Sequence, residues 1–203
     1  MTAFLATTAA SLALVTVFGG SALAQTSGGQ GGPPVLASKL APARGGGLRL
    51  LVTSDVFGSG RALSDRYTQN GEDVSPPLAW TKGPAGTQSY VVLAEDAGVN
   101  RHEPVVHWVI YDIPSNMTRL PENVPTTPKL GSGAMQGLNV RKAAGFIGPK
   151  PPAGQTHPYH FEVFALNSRL NLDPANADRD AVVDAMKGHV LPTGDIVTNY
   201  TGK

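Results

Sequence analysis

Two of the five histidines in this 203-residue chain stand where they could bind a ligand. His157 begins a strand-like segment directly after a stretch rich in glycine and proline, residues 148–154. Tyr159 follows two residues later, so both side chains share one face if the segment is a β-strand. An imidazole and a phenol on one face can donate hydrogen bonds to a single anion. Tyr159 is also compatible with an ordinary core position.

His107 lies inside an apolar run, between Val106 and Trp108. A buried imidazole needs a hydrogen-bond partner, because an unpaired polar group inside a core costs stability. His107 is therefore either a structural histidine or a second member of a binding site. His160 alternates with Tyr159, and we expect it on the opposite, solvent-exposed face of its strand.

Two acidic residues, Glu95 and Asp96, end another strand-like run. If neighbouring strands bring Asp96 near His107, the carboxylate would set the tautomer of the imidazole and raise its pKa. The alternative is that both acids open a solvated turn, and the spacing alone favours this interpretation slightly. The glycine-rich segment 145–148 supplies backbone N–H groups that could face a phosphate, although such loops are common.

The chain segments that contain these residues have the sequence patterns of β-strands, which predicts a mostly β domain. Runs rich in valine and aromatic residues and bounded by turn residues are typical of strands. Strands are predicted at residues 48–57, 88–95, 105–113, 159–166 and 196–200. One amphipathic helix is predicted at residues 178–189, capped by Asn176 or Asp178 and ended by Gly188. The proline-rich stretch 113–154 predicts long surface loops, which often carry function.

The N-terminal part of the chain predicts export. Residues 1–24 resemble a signal peptide, with an apolar segment followed by Ala22-Leu23-Ala24. Residues 25–47 are rich in glycine and proline and predict a disordered linker. Residues 48–203 form the predicted domain. We therefore expect a periplasmic or secreted protein without a transmembrane span once the signal is cleaved.

Composition excludes several classes of function. The first 47 residues carry two of the 16 basic and none of the 15 acidic residues, so residues 48–203 have a net charge near −1. That balance argues against nucleic acid as a partner. The chain has no cysteine, which excludes disulfides, thiol catalysis and sulfur-based zinc sites. Nucleophile-elbow, P-loop and zinc-protease motifs are missing from the sequence, so we expect neither an enzyme nor a cofactor.

Three ordered motifs resemble those of the phosphatidylethanolamine-binding (Raf-kinase-inhibitor-like) protein family, in its bacterial branch. The first motif is Arg66-Tyr67-Thr68 with Gly71 and residues 74–80 (VSPPLAW). The second motif is His107-Trp108-Val109 with Ile113-Pro114. The third motif is residues 148–161, with Gly148-Pro149, His157, Tyr159 and Phe161. The resemblance spans about residues 48–200. It implies a central antiparallel sheet, a second smaller sheet and peripheral helices, in agreement with the predicted strands.

The resemblance also implies a pocket for a phosphate-type anion or a phospholipid head group. The matching residues are Asp96, His107, Gly148, His157 and Tyr159. Two positions depart from the family pattern. Gly98 replaces a second aspartate, and Pro158 replaces an arginine, so the pocket has one carboxylate and one cation fewer.

The resemblance leaves three functions open. The first is a small-molecule binding module. The alternative is a protein-interaction module, an inhibitor of a protease or kinase type, which after export would meet a partner in the cell envelope. A hydrolase that uses Asp96, His107 and His157 ranks last, because the sequence offers no clear nucleophile or complete set of metal ligands.

Overall fold

The computed structural model describes Met1 and residues 32–45, 48–58 and 61–203, and these residues form eight strands in two antiparallel sheets. The strands are β1 (Val52–Thr53), β2 (Leu78–Trp80), β3 (Ser89–Asp96), β4 (Val105–Pro114), β5 (Arg119–Leu120), β6 (Met135–Gln136), β7 (Thr156–Leu166) and β8 (Val190–Thr201). Two short α-helices, α1 (Ala37–Leu40) and α2 (Arg179–Met186), accompany them, with a 3-10 turn at Asp65–Tyr67. The predicted mostly β class, with two sheets and few helices, is confirmed.

The larger sheet has the order β6-β4-β3-β7-β8, and the smaller sheet has the order β1-β2-β5. Every residue of the central strand β3 is buried, because both faces of the larger sheet are covered. Tyr90, Val92 and Ala94 point into a core shared with the smaller sheet. Val91 and Leu93 point into a second core on the opposite face. This double burial explains why the β3 sequence is an apolar run rather than an alternating one.

The second face of the larger sheet is covered partly by α2. The side chain of Asp178 caps this helix by accepting a hydrogen bond from the backbone N–H of Ala181, at 3.1 Å. Val182 and Met186 are fully buried against the sheet. The predicted helix is therefore present, although it ends at Met186, before Gly188 with its positive φ of 76°.

Residues 33–45 also cover this second face, as what we call the N-terminal strap. Composition predicted a disordered linker over residues 25–47, whereas residues 33–45 pack against the sheet in the structure. Ala37 and Ala41 are fully buried, and Ala37 donates its backbone N–H to Glu95 Oε2 at 3.0 Å. Arg179 donates to the backbone oxygen of Val35 at 2.6 Å. The sheet and α2 supply buried polar partners for the strap. A prediction from the composition of the segment alone cannot take such distant partners into account.

The rest of the predicted linker before residue 32, and the predicted signal peptide apart from Met1, lie outside the described residues. Within the described part of the chain, no helix is long and apolar enough to cross a membrane.

Three predicted strands differ from the structure by more than one residue. The segment 48–57 pairs only at Val52–Thr53, the segment 159–166 begins earlier, at Thr156, and the last strand begins earlier and runs over Val190–Thr201. The region 113–154 consists mostly of loops, as expected, and also contributes the short strands β5 and β6.

Candidate functional site

The pairing of β3 with β7 creates the centre of the site. Asp96 lies opposite Tyr159 across this strand pair, which places His157 at a diagonal position. His157 Nδ1 is 2.9 Å from Asp96 Oδ2 and 3.1 Å from Asp96 Oδ1. Both side chains are buried. A carboxylate only accepts hydrogen bonds, so His157 Nδ1 is the donor.

The structure contradicts both environments that the sequence suggested for Glu95 and Asp96. The spacing favoured a solvated turn, but both carboxylates are buried within β3. The alternative placed Asp96 beside His107, whereas its hydrogen-bonded partner is His157. Asp96 pairs with Val105 of β4 on one side and with Tyr159 of β7 on the other. The β3–β4 register shifts at His107, which has no partner in β3, whereas the regular β3–β7 register leaves His157 diagonal to Asp96.

His107 lies on β4, and its Nδ1 is 2.6 Å from the backbone oxygen of Ile147. A carbonyl oxygen cannot donate, so Nδ1 carries the hydrogen and Nε2 of the neutral ring carries the lone pair. Burial lowers the pKa of His107 and outweighs the opposing effect of the Ile147 hydrogen bond. The ring is therefore neutral near pH 7. Among the described residues, His107 Nε2 has no hydrogen-bond partner.

Tyr159 lies between the two imidazoles. Its ring centre is 5.3 Å from that of His107, edge to face, and 6.5 Å from that of His157. Its hydroxyl oxygen is buried and lacks a hydrogen-bond partner within the described part of the chain. Burial, followed by the charge of Asp96 and the closeness of that carboxylate to the hydroxyl, raises the pKa of the phenol, so the hydroxyl remains protonated. The contact with Asp96 lies outside ordinary hydrogen-bond geometry.

Gly148 lies in the adjoining loop, but its backbone N–H is not available to a ligand. It donates to Asp73 Oδ1 at 2.6 Å, and the Gly148 carbonyl accepts from Gln69 Nε2 at 2.7 Å. A Cβ at this position would lie 2.6 Å from Thr68 Cα. Gly148 therefore lets two loops approach closely beside the site, and its own N–H and carbonyl are both already hydrogen-bonded.

Gly98 is a member of the site that the sequence analysis treated only as a missing aspartate. Its backbone N–H donates to Asp96 Oδ1 at 2.7 Å. A Cβ at this position would lie 2.3 Å from His157 Cγ, so the glycine is in direct contact with the imidazole. In the sequence, the only sign of this contact is that residue 98 is a glycine. A glycine alone does not indicate which residue it touches, so the contact with His157 could not be predicted.

The remaining histidines lie elsewhere. His160 faces the other side of the larger sheet, as predicted, but it is half-buried and its Nδ1 lies 2.9 Å from Asp195 Oδ2. His189 Nδ1 lies 2.9 Å from Asn167 Oδ1 near the end of α2. The described residues contain no group of three or more histidine and acidic side chains arranged to hold a metal ion.

Residues 53–201 match the family model described as phosphatidylethanolamine-binding protein. A UPF0098 protein of Methanothermobacter thermautotrophicus is 38% identical over 138 residues, which are 68% of this chain and 89% of that protein. A UPF0098 protein of Aquifex aeolicus is 37% identical over 159 residues, covering 76% of this chain and 90% of its own length.

Two crystal structures resemble the whole domain. Escherichia coli YbcL, described as a member of the mammalian PEBP family, superposes with a TM-score of 0.71 at 30% identity, covering 77% of this chain and 100% of its own. CT736 of Chlamydia trachomatis, described as a putative homologue of the same family, has a TM-score of 0.68 at 27% identity, covering 76% of this chain and 99% of its own.

Proposed function

Because the chain belongs to the phosphatidylethanolamine-binding protein family, we propose that it is a binding module for phosphate-type anions. The proposed site consists of His107, His157 and Tyr159, with Asp96 as the residue that orients His157. One observation carries the proposal: the Tyr159 hydroxyl is buried between two imidazoles without a hydrogen-bond partner in the described structure. Leaving a buried hydroxyl unpaired costs about 1–3 kcal/mol, and a ligand oxygen would remove this cost.

The rest of the site supports a small polar ligand. Both imidazoles use Nδ1 for a protein acceptor and leave Nε2 for other contacts. His157 Nε2 has only a long contact of 3.4 Å, to Gln155 Oε1. Two ring nitrogens and a phenol, held by β4 and β7, therefore offer three polar atoms to one ligand.

A zwitterionic head group fits this site less well than a simple anion. The ammonium group of such a ligand needs a free carboxylate, and both oxygens of Asp96 are already hydrogen-bonded to His157 and the Gly98 backbone. At position 98 there is no space for the second aspartate of the family, because the backbone touches the His157 ring. We therefore propose the phosphate group itself as the recognised element, in a protein that acts in the periplasm or outside the cell.

Calorimetric titration of the purified full chain with inorganic phosphate tests the proposal. We expect saturable binding that becomes at least about tenfold weaker in His157→Ala, the loss of roughly one charge-assisted hydrogen bond. His160→Ala is the matched control, because it removes an imidazole from the same strand on the opposite face. Absence of phosphate binding, or equal affinity of His157→Ala and the native chain, would refute the proposed function.

A further inference from the structure

The N-terminal strap and the proposed binding site meet at one end of the central strand. Glu95 and Asp96 are consecutive residues of β3, so their side chains lie on opposite faces of the larger sheet. Glu95 accepts a hydrogen bond from the backbone N–H of Ala37 in the strap, whereas Asp96 accepts one from His157 in the site. One peptide unit therefore separates the contacts of the strap from the contact that orients the binding imidazole.

The strap supplies hydrogen-bond donors to carboxylates that are buried in the sheet. Glu95 and Glu162 are both buried on the side of the strap. Ala37 donates to Glu95 Oε2 at 3.0 Å, and Ser38 donates to Glu162 Oε1 at 3.3 Å. Arg179 of α2 is a further donor to Glu95. Because a buried carboxylate oxygen without a donor is unfavourable, loss of the strap would force this end of β3 to rearrange.

A second contact joins the strap to the loop between β3 and β4, residues 97–104. Val35 donates its backbone N–H to the carbonyl oxygen of His102 in this loop, at 3.0 Å. The same loop contains Gly98, whose backbone lies directly against the His157 ring. The strap therefore holds the loop at one point, and the loop contacts the binding imidazole at another.

The sheet holds this end of β3 less regularly on the side of β4. The pairing of the two strands changes register between Ala94 and Glu95, which interrupts the regular ladder. Contacts from outside the sheet therefore matter more here than in the middle of β3. The strap provides such contacts through Glu95 and through the loop 97–104.

We propose, relying on the function proposed above, that the N-terminal strap controls the affinity of the anion site. When the strap is docked, Glu95 and the loop 97–104 hold Asp96 against His157, and the site binds phosphate. When the strap is undocked, the imidazole loses this support and the affinity falls. The strap lies outside the residues 53–201 that match the family model, and it connects the domain to the preceding part of the chain. A contact that pulls the strap off the sheet would therefore release the anion.

Variants of the strap in the full chain test this coupling. Ala37→Glu places another carboxylate beside the buried Glu95 and should undock the strap by repulsion. Leu40→Glu is the matched control, because Leu40 is exposed on the same short helix. Val35→Pro removes the backbone N–H that His102 accepts, and it keeps the inference testable if Ala37→Glu does not fold.

Phosphate affinity, measured by calorimetry, should fall at least about tenfold in Ala37→Glu and about fivefold in Val35→Pro, and should keep its native value in Leu40→Glu. Coupling between two sites is reciprocal, so saturating phosphate should slow hydrogen exchange at the amides of Ala37 and Ser38 by a similar factor. A strap that only stabilises the fold would not respond to phosphate in this way.

A second measurement needs no ligand. The amide of Gly98, which donates to Asp96, should exchange faster in Ala37→Glu and Val35→Pro than in Leu40→Glu. If this happens but the native chain does not bind phosphate, the proposed function is refuted and the link between strap and site is supported. Equal phosphate affinity of both strap variants and the native chain would overturn the inference and leave the anion site intact.

Discussion

His157 Nδ1 lies 2.9 Å from Asp96 Oδ2, across the pair formed by the central strand β3 and its neighbour β7. The two residues are 61 positions apart in the chain, and both side chains are buried. Their hydrogen bond fixes the ring so that Nε2 is directed away from the carboxylate. The orientation of the proposed binding nitrogen therefore depends on a residue that need not touch the ligand.

Replacing Asp96 by asparagine should weaken both stability and binding. The amide retains the size of the side chain, but its oxygen is neutral and is therefore a weaker acceptor for His157 Nδ1–H than the carboxylate. We expect a loss of about 1–3 kcal/mol in the free energy of unfolding, measured with urea, and weaker phosphate binding. Asp184→Asn is the control, because Asp184 is exposed on α2. If Asp96→Asn binds phosphate like the native chain, Asp96 does not position His157 for binding.

Replacing Tyr159 by phenylalanine should separate stability from binding. The hydroxyl is buried without a partner in the described structure, so its removal should leave the ligand-free protein equally stable or more stable, by up to about 1–3 kcal/mol. Phosphate affinity should fall about tenfold, because the only side-chain hydroxyl donor proposed for the site is lost. A clear loss of stability without ligand would mean that the hydroxyl already has a partner in the free protein.

Replacing Gly98 by alanine should displace His157. The added Cβ would lie 2.3 Å from His157 Cγ, so the ring or the loop must move. We expect phosphate binding to weaken by more than tenfold, because a small displacement of a binding group disrupts hydrogen-bond geometry. Gly131→Ala is the matched control, since no atom lies within 4 Å of a Cβ built there. Equal binding by the two variants would contradict the tight packing inferred at Gly98.

The stability of the protein should depend on the protonation of Glu162. Burial, followed by the charge of Glu95, raises the pKa of Glu162 to about 8 from an ordinary value of 4.5. A raised pKa means that the folded state binds the proton more tightly, so this stabilisation is complete below pH 4.5 and is lost as pH rises toward 8. The difference in free energy of unfolding between the native chain and Glu162→Gln should change by up to about 1.4 kcal/mol per pH unit in this window.

The N-terminal strap provides a local readout of the same proton. Ser38 donates its backbone N–H to Glu162 Oε1 at 3.3 Å, and Ala37 donates to Glu95. Hydrogen-exchange protection of these two amides, corrected for intrinsic rates, should fall between pH 5 and pH 8 in the native chain and stay constant in Glu162→Gln. Protection that falls equally in both proteins would assign the dependence to another group.

Much of the larger sheet could be predicted because its strands carry local signals. The segments 88–95 and 105–113 are runs of valine and aromatic residues, and the observed strands Ser89–Asp96 and Val105–Pro114 differ by one residue at most at each end. The short strands β5 and β6 have only two residues each and carry no such signal. Their pairing is decided by the neighbours they meet, not by their own composition.

The sequence by itself determined the fold class and the family and predicted the two imidazoles of the candidate site, because these depend on side-chain periodicity and on ordered motifs. Only the tertiary structure decided that Asp96 pairs with His157 and not with His107, and that the amide of Ala37 in the strap meets the buried Glu95. Strand register and the docking of distant segments set these contacts. These contacts form between segments that are far apart in the sequence and are buried against each other, so no local sequence pattern predicts them.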